Sequence, residues 1–294
     1  DQNASFSAYE SGDALMIKDI PTQEITTLKE RPDYHLDPIL GTYYLDLNNT
    51  LDEFKDPKVR MALSLALDRK YISETITAGT YSPASGFVSD GVTDWDGTAW
   101  KDHITDPSAY INIDDFAGNL AKAKELLKEA GHENGAGLPT IVYSTNDQAY
   151  HKKIAEYLQQ AWGELGLKVD VNIVEWKSFT PQRRSGNYQA ARDGWVMDYN
   201  DPSNILELAV TGNGNNNCKY SNPDFDALME KAAKEKDPKT RFGYFHQAEE
   251  LAMKDAAMVP LLYYNDFYLQ SDKVKDSWHS PDGFWHFEYA DIAE

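Results

Sequence analysis

The order of apolar and polar positions along the chain predicts a mixed α/β fold. Residues 38–48 are rich in strand-favouring side chains that partly alternate, which is typical of a strand. A helix should begin at Asp56 and Pro57, because aspartate caps a first turn and proline is tolerated within it. An apolar stripe at helical spacing follows over residues 59–67.

A strand–helix–strand pattern occupies the middle of the chain. Residues 139–144 and 167–174 predict strands, and residues 147–165 predict a helix that ends before Gly166. Strands joined in this way are parallel, with a right-handed crossover. The same patterns predict strands over 188–196, 259–264 and 267–270, and helices over 223–236 and 238–254.

Composition narrows the class of protein. The chain has 294 residues, with 28 basic and 48 acidic side chains and a net charge of −20. Such acidity argues against nucleic acid or an anionic membrane as a main partner. Its 7 Trp, 18 Tyr and 11 Phe favour a folded chain of about two domains or one large domain. Cys218 is the single cysteine, so no internal disulfide can form.

Motifs for catalysis and cofactors are missing from the sequence. It has no nucleophile elbow, zinc-protease motif or phosphate loop. The seven histidines are scattered without helical ligand spacing, and the aspartates over 90–96 lack a calcium-loop pattern. We therefore expect no metal site, no cofactor and no enzymatic activity.

Aromatic and charged residues gather near the predicted strand ends, where ligands bind in α/β folds. Tyr43 and Tyr44 lie on one strand, Trp176 follows another, and Arg183 comes shortly afterwards. The segment 192–202, RDGWVMDYNDP, begins within a third predicted strand and continues past its end. These residues could enclose a ligand and bind its charged ends. Equally, the aromatic rings could be core and the charges surface.

Several motifs resemble those of the oligopeptide-binding proteins, which are solute-binding family 5 proteins of ABC-type peptide importers. The matching stretches, in chain order, are 9–13 (YESGD), 41–49 (GTYYLDLNN), 56–69 (DPKVRMALSLALDR), 151–153 (HKK), 175–179 (EWKSF) and 194–202 (GWVMDYNDP). The resemblance covers essentially the whole chain, and it implies a type II periplasmic-binding-protein-like lobe with a mixed sheet and flanking helices.

The resemblance is to the C-terminal part of longer, two-lobed proteins. It implies that residues 1–40 are a piece of the first lobe, that residues 41–265 form the second ligand-binding lobe, and that residues 266–294 return to the first lobe. The crossings between lobes are expected near residues 40–41 and 265–266.

The resemblance also implies roles for individual residues. Asp198 matches the carboxylate that binds a peptide's α-ammonium group, and Asn200 follows it in the motif. Arg192 and Arg183 match arginines that meet the peptide carboxylate, with a surface ion pair as the alternative. Trp176 and Tyr44 match aromatic walls of side-chain pockets, and Asp46 and His151 match other pocket positions. Trp195 lies beside the aspartate and Tyr43 beside Tyr44, and both are further candidate ligand contacts.

Each of these matches has an alternative. Core packing would explain the aromatic residues, and surface exposure would explain Asp46 and His151. Some relatives join cysteines at the positions of Gly41 and Val196, which this chain cannot do.

The implied function is capture of oligopeptides outside the cytoplasm for an ABC transporter. The expected partners are short peptides and the membrane subunits, with the protein itself monomeric and either periplasmic or lipid-anchored. Alternatives are a dipeptide, nickel-chelate, haem or oligosaccharide ligand on the same fold and, remotely, a glycoside hydrolase.

Overall fold

A computed structural model describes residues 2–18, 20–21 and 23–293. The α-helices are α1 Gln2–Glu10, α2 Ile25–Leu28, α3 Asp52–Lys55, α4 Pro57–Leu65, α5 Arg69–Tyr71, α6 Phe116–Glu129, α7 Ala149–Gly163, α8 Trp176–Arg184, α9 Ser203–Leu206, α10 Pro223–Lys234 and α11 Pro238–Lys254. A π-helical turn lies at Ile72–Ile76, and 3₁₀ turns lie at Trp100–His103, Pro107–Ala109, Glu133–Gly135 and Glu207–Ala209. In these ranges no helix is long and apolar enough to cross a membrane.

The strands form one mixed sheet and two short antiparallel pairs. They are β1 Met16–Ile17, β2 Tyr34–Leu47, β3 Ser82–Pro83, β4 Ile141–Asn146, β5 Val169–Val174, β6 Ala190–Val196, β7 Val259–Gln270, β8 Val274–Lys275, β9 Trp278–His279, β10 Trp285–His286 and β11 Asp291–Ile292. The sheet order is β1-β7-β2-β6-β4-β5, and β3 pairs with β7. Strand β4 is parallel to β5 and β6, whereas β2 is antiparallel to β6 and β7.

The predicted strand–helix–strand unit is confirmed as β4, α7 and β5. Gly166 follows the helix with φ +84°, and a Cβ there would collide with the backbone of Asn134. Only glycine adopts this conformation at little cost, so it lets the chain turn back into β5. Helix α7 covers the sheet face that carries Tyr43, as the contact between His151 of α7 and the Tyr43 hydroxyl shows. Helix α8 covers the other face.

Helix α8 was not predicted from the sequence. Pro181 lies inside it, and proline normally breaks a helix. The helix still forms, because the Glu175 side chain accepts a hydrogen bond from the main-chain N–H of Lys177. Phe179 and Arg183, one turn apart, are both buried against the sheet. Packing of that face therefore outweighs the cost of the proline.

The helix predicted at Asp56 is confirmed, and Arg69, the last residue of its motif, has a structural role. The main-chain N–H of Lys58 donates to Asp56. The Arg69 guanidinium, 2% exposed, donates to the carbonyls of Pro260, Ser64 and Leu67 and to the Ser64 hydroxyl. Burial lowers the pKa of Arg69 to about 10. These bonds tie the end of α4 to the start of β7.

Strands β2 and β7 run through two separate hydrophobic clusters. The larger cluster includes Leu262, and the smaller one includes Leu269, Tyr9 and Ile17. The two strands predicted over 259–270 form the single strand β7. The register of β2 against β7 shifts between Pro38 and Thr42. The lobe boundaries at residues 40–41 and 265–266 stay a prediction.

Candidate ligand-binding site

A pocket of about 480 Å³ opens at the carboxyl ends of β4 and β5. This is the edge of a parallel sheet at which α/β proteins bind ligands. The pocket is lined by Asn146, Asp147, Gln148, Ile173, Glu175, Trp176 and Arg192. It forms because Trp176 begins α8 directly after β5, while Arg192 lies on β6, on the other side of β4.

Aromatic rings surround the Arg192 guanidinium in this pocket. Its central carbon lies 5.4 Å from the Tyr43 ring centroid and 5.7 Å from that of Trp176. Within the described residues Arg192 makes no ion pair, and its Nε is buried without a hydrogen-bond partner. A guanidinium is always charged, and a partly buried charge is stabilised by an anion. The arrangement therefore suits a ligand carboxylate.

His151 lies next to this arginine but does not add charge. It is 0% exposed, so the alternative of surface exposure is wrong. Its Nδ1 is 3.0 Å from the Tyr43 hydroxyl. Burial, followed by the charge of Arg192, lowers the pKa of His151 to about 2. His151 is therefore neutral at physiological pH and can act only through hydrogen bonds and packing.

Asp198 lies at the end of β6, away from the pocket. It is exposed, and its main-chain N–H donates to Asn204 Oδ1 at 3.1 Å. Trp195 donates its Nε1–H to the same oxygen at 2.9 Å. Asn200 is also exposed, and it accepts a hydrogen bond from the main-chain N–H of Thr93. The Asp198 carboxylate thus faces solvent on a well-connected turn.

Asp201, three residues after Asp198, has a structural role. Its side chain accepts hydrogen bonds from the main chain and hydroxyl of Ser203, at 3.0 and 2.6 Å. It also accepts two from the Arg241 guanidinium on α11, at 2.6 and 3.0 Å. A bidentate pair of this kind fixes geometry as well as charge. It anchors the turn on the helix behind it.

Arg183 and Arg192 lie on opposite faces of the sheet. The Arg183 guanidinium forms a buried ion pair with Asp193 at 2.8 Å, so the alternative of a surface ion pair is wrong. Asp193 also accepts from Asn217 Nδ2 at 2.8 Å. Successive strand residues point to opposite faces, which separates the Asp193 cluster from Arg192. The sequence analysis predicts no role for Asp193. A charged residue in the middle of a strand was nevertheless a signal that could have indicated a buried ion pair.

Asp46 belongs to the Asp193 face and is fully buried. Its exposed fraction is 0%, so surface exposure is wrong for this residue too. Neither carboxyl oxygen has a hydrogen-bond partner among the residues that the structure describes. Burial, followed by the charge of Asp193, raises the pKa of Asp46 well above its usual value. Tyr44, on the same face, packs edge-on against Phe87 with ring centroids 5.1 Å apart.

The structure therefore divides the predicted residues into three groups. Trp176 and Arg192 line the pocket, and Tyr43 and His151 are buried next to Arg192. Asp198, Asn200 and Trp195 lie at or beyond the end of β6. Tyr44, Asp46 and Arg183 are buried on the other face. Gly41 and Val196 are cross-strand partners, and Cys218 is buried with a free thiol.

Comparison with known proteins identifies the family. The model described as bacterial extracellular solute-binding proteins, family 5 Middle, matches residues 1–217. The chain belongs to this family. Among curated family 5 relatives, the dipeptide-binding protein DppE of Bacillus subtilis is 31% identical over 99% of this chain and 52% of its own length. The periplasmic oligopeptide-binding protein OppA of Escherichia coli is 33% identical over 87% and 46%.

Solved structures agree with this family 5 assignment. The Haemophilus influenzae OppA complex with RPPGFSPFR is 26% identical, with a TM-score of 0.79, over 100% of this chain and 57% of that one. The fold is thus the periplasmic-binding-protein-like α/β fold that the sequence predicts. The chain spans about half the length of the curated relatives that it matches.

Proposed function

We propose that the chain provides ligand contacts in an extracytoplasmic substrate-binding component that captures oligopeptides for an ABC importer. The observation that carries the proposal is the Arg192 guanidinium, which lies in an open pocket among aromatic rings and forms no ion pair within the described ranges. Arg192 would bind the peptide carboxylate, and Asp198 would bind the α-ammonium group. No step in this function breaks a covalent bond.

The spacing of these two residues favours oligopeptides over dipeptides. Arg192 lies four positions before the end of β6, which is about 13 Å along an extended strand, and Asp198 lies two positions beyond that end. An extended dipeptide covers only about 7 Å. Main-chain hydrogen bonds to strand edges would hold a longer peptide, and Trp176 would line the pocket for one of its side chains. The DppE match keeps a dipeptide ligand as the second candidate.

Ligand capture would proceed by closure of two lobes on the peptide. In this proposal residues 41–265 are the second lobe, and residues 1–40 and 266–294 belong to the first. The peptide-loaded protein, as a monomer in the periplasm or anchored by lipid at the cell surface, would engage the transporter's membrane subunits. Because this chain would supply only part of the enclosure, we expect a dissociation constant of about 1 mM or weaker for the chain alone.

The substrate class is tested by native purification of the whole two-lobed protein, followed by denaturation and mass spectrometry of the released small molecules. A mixture of short peptides with free amino termini supports the proposal. A metal chelate, a sugar or one non-peptide species contradicts it. Peptide titration then compares Arg192→Met with Arg184→Met, which removes an exposed arginine at the last position of α8, outside the pocket. Only Arg192→Met should abolish the preference for a free carboxylate over a carboxamide.

A further inference from the structure

Asn204 connects two predicted ligand contacts at the end of β6. Its side chain is buried, in the short helix α9. Its Oδ1 accepts from the indole Nε1–H of Trp195 at 2.9 Å and from the main-chain N–H of Asp198 at 3.1 Å. Its Nδ2 donates to Asp198 Oδ2 at 3.4 Å. One amide group therefore bonds to the ring, to the main chain and to the carboxylate.

Further hydrogen bonds fix the start of the helix that carries Asn204. The residue before it, Ser203, donates to Asp201 from both its main chain and its hydroxyl. Asp201 in turn bonds to the Arg241 guanidinium, whose central carbon lies 4.7 Å from the Phe245 ring centroid on α11. The Asn204 amide is therefore carried by a short helix that Asp201 connects to α11. Support of this kind is needed for precise positioning of a binding group.

We infer that Asn204 is a positioning residue, which fixes the orientation of the Asp198 carboxylate for a ligand's amino group. An exposed aspartate samples several rotamers and loses that freedom when it binds a cation. The bond from Nδ2 favours one rotamer before the ligand arrives, and the bond to the main chain fixes the turn that carries it. This inference rests on the proposed function, because it takes Asp198 as the amine contact.

The role predicts a loss of discrimination rather than a general loss of affinity. Trialanine carries a charged amino group, whereas N-acetyl-trialanine carries a neutral and slightly larger amide in its place. Their dissociation constants, measured by NMR titration of the whole chain, give a ratio that isolates the amine contact. The unmodified protein should favour trialanine at least tenfold, because the ammonium–carboxylate bond is charge-assisted. In Asn204→Ala this ratio should fall about tenfold, towards one.

Two further variants separate positioning from folding. Asn204→Ser keeps a polar residue in the first turn of α9 but is too short to span Trp195 and Asp198, so the same fall is expected. Asn222→Ala is the matched control, since Asn222 caps α10 and donates to Asp255 elsewhere in the fold. Its ratio should equal that of the unmodified protein. Thermal unfolding shows which variants are folded at the titration temperature.

The outcomes distinguish the inference from the proposed function. If both peptides weaken equally in the Asn204 variants, the residue is merely structural and the inference is wrong. An unchanged ratio in the folded Asn204→Ser variant also overturns it. If the unmodified protein binds both peptides equally, Asp198 is not an amine contact. That result contradicts the proposed function before any variant is made, and the inference falls with it.

Discussion

The buried His151 makes the stability of the protein depend on pH, and the size of the effect follows from its pKa. Burial and the charge of Arg192 lower that pKa from 6.5 to about 2. Below pH 6.5 the unfolded chain therefore takes up a proton that the folded protein does not bind. The free energy of unfolding must fall as the pH decreases from 6.5 towards 2. At pH 5 the loss from this residue is about 2 kcal/mol, at about 1.4 kcal/mol per pH unit.

Urea denaturation at pH 7 and pH 5 measures this loss against His151→Asn. Asparagine retains a polar group near the Tyr43 hydroxyl but does not titrate. Other groups titrate in both proteins, so the informative quantity is the difference between their pH-dependent losses. We expect the unmodified protein to lose about 2 kcal/mol more than the variant between the two pH values. His132→Asn, at a half-buried loop histidine, should behave as the unmodified protein.

Equal losses in the unmodified protein and His151→Asn would refute the reasoning. They would mean that His151 becomes protonated in the folded state at pH 5, so that its surroundings admit water or a counter-ion. A lower absolute stability of the variant at both pH values would not count against it, because asparagine leaves a small cavity.

Further predictions concern the buried charges and the pocket. Asp46→Asn should raise the free energy of unfolding at pH 8 but have little effect at pH 4, because folding raises the pKa of this carboxyl and a pH above its unfolded pKa therefore costs stability. Asp193→Asn should instead cost about 3–5 kcal/mol, since it leaves the buried Arg183 charge without its anion. Arg69→Met should cost about 2–4 kcal/mol by leaving several buried carbonyls without donors. Urea denaturation checks all three, and a stabilised Asp193→Asn or an unaffected Arg69→Met would contradict the account. Trp176→Ala should change the free energy of unfolding by less than about 0.5 kcal/mol, because Trp176 is 50% exposed. The same variant should weaken peptide binding in titration, and unchanged binding would show that Trp176 is not part of the site.

The sequence was sufficient for elements whose signals are local. The strand–helix–strand unit follows from hydrophobic spacing and from Gly166, and the start of α4 follows from Asp56 and Pro57. Helix α8 was missed because Pro181 is a strong local signal against it, and only packing against the sheet overrides that signal. Strand β7 was divided in two because its central polar residues interrupt the apolar pattern, while pairing with β2 runs through them.

The site was predictable as a set of segments but not as a geometry. Trp176 and Asp198 stand out because each comes shortly after a predicted strand, and Arg192 stands out as a charged residue within one. The two arginines could not be told apart, since the unrecognised helix α8 takes Arg183 to the other face of the sheet, where Asp193 pairs with it. The burial of Asp46 was equally hidden, because it depends on which strand and helix cover that face.

The way in which Arg192 is stabilised bears on how the site would respond to pH. Aromatic rings attract a guanidinium without neutralising it, so the full charge remains available to a ligand carboxylate. His151 stays neutral down to about pH 2, and a peptide carboxylate and α-ammonium keep their charges between pH 5 and pH 7. Affinity for trialanine, whose amino and carboxyl groups are both unblocked, should therefore vary less than about twofold over that range, as measured by titration at pH 5, 6 and 7. A tenfold tightening at pH 5 would show that His151 takes up a proton on binding and shares the carboxylate with Arg192.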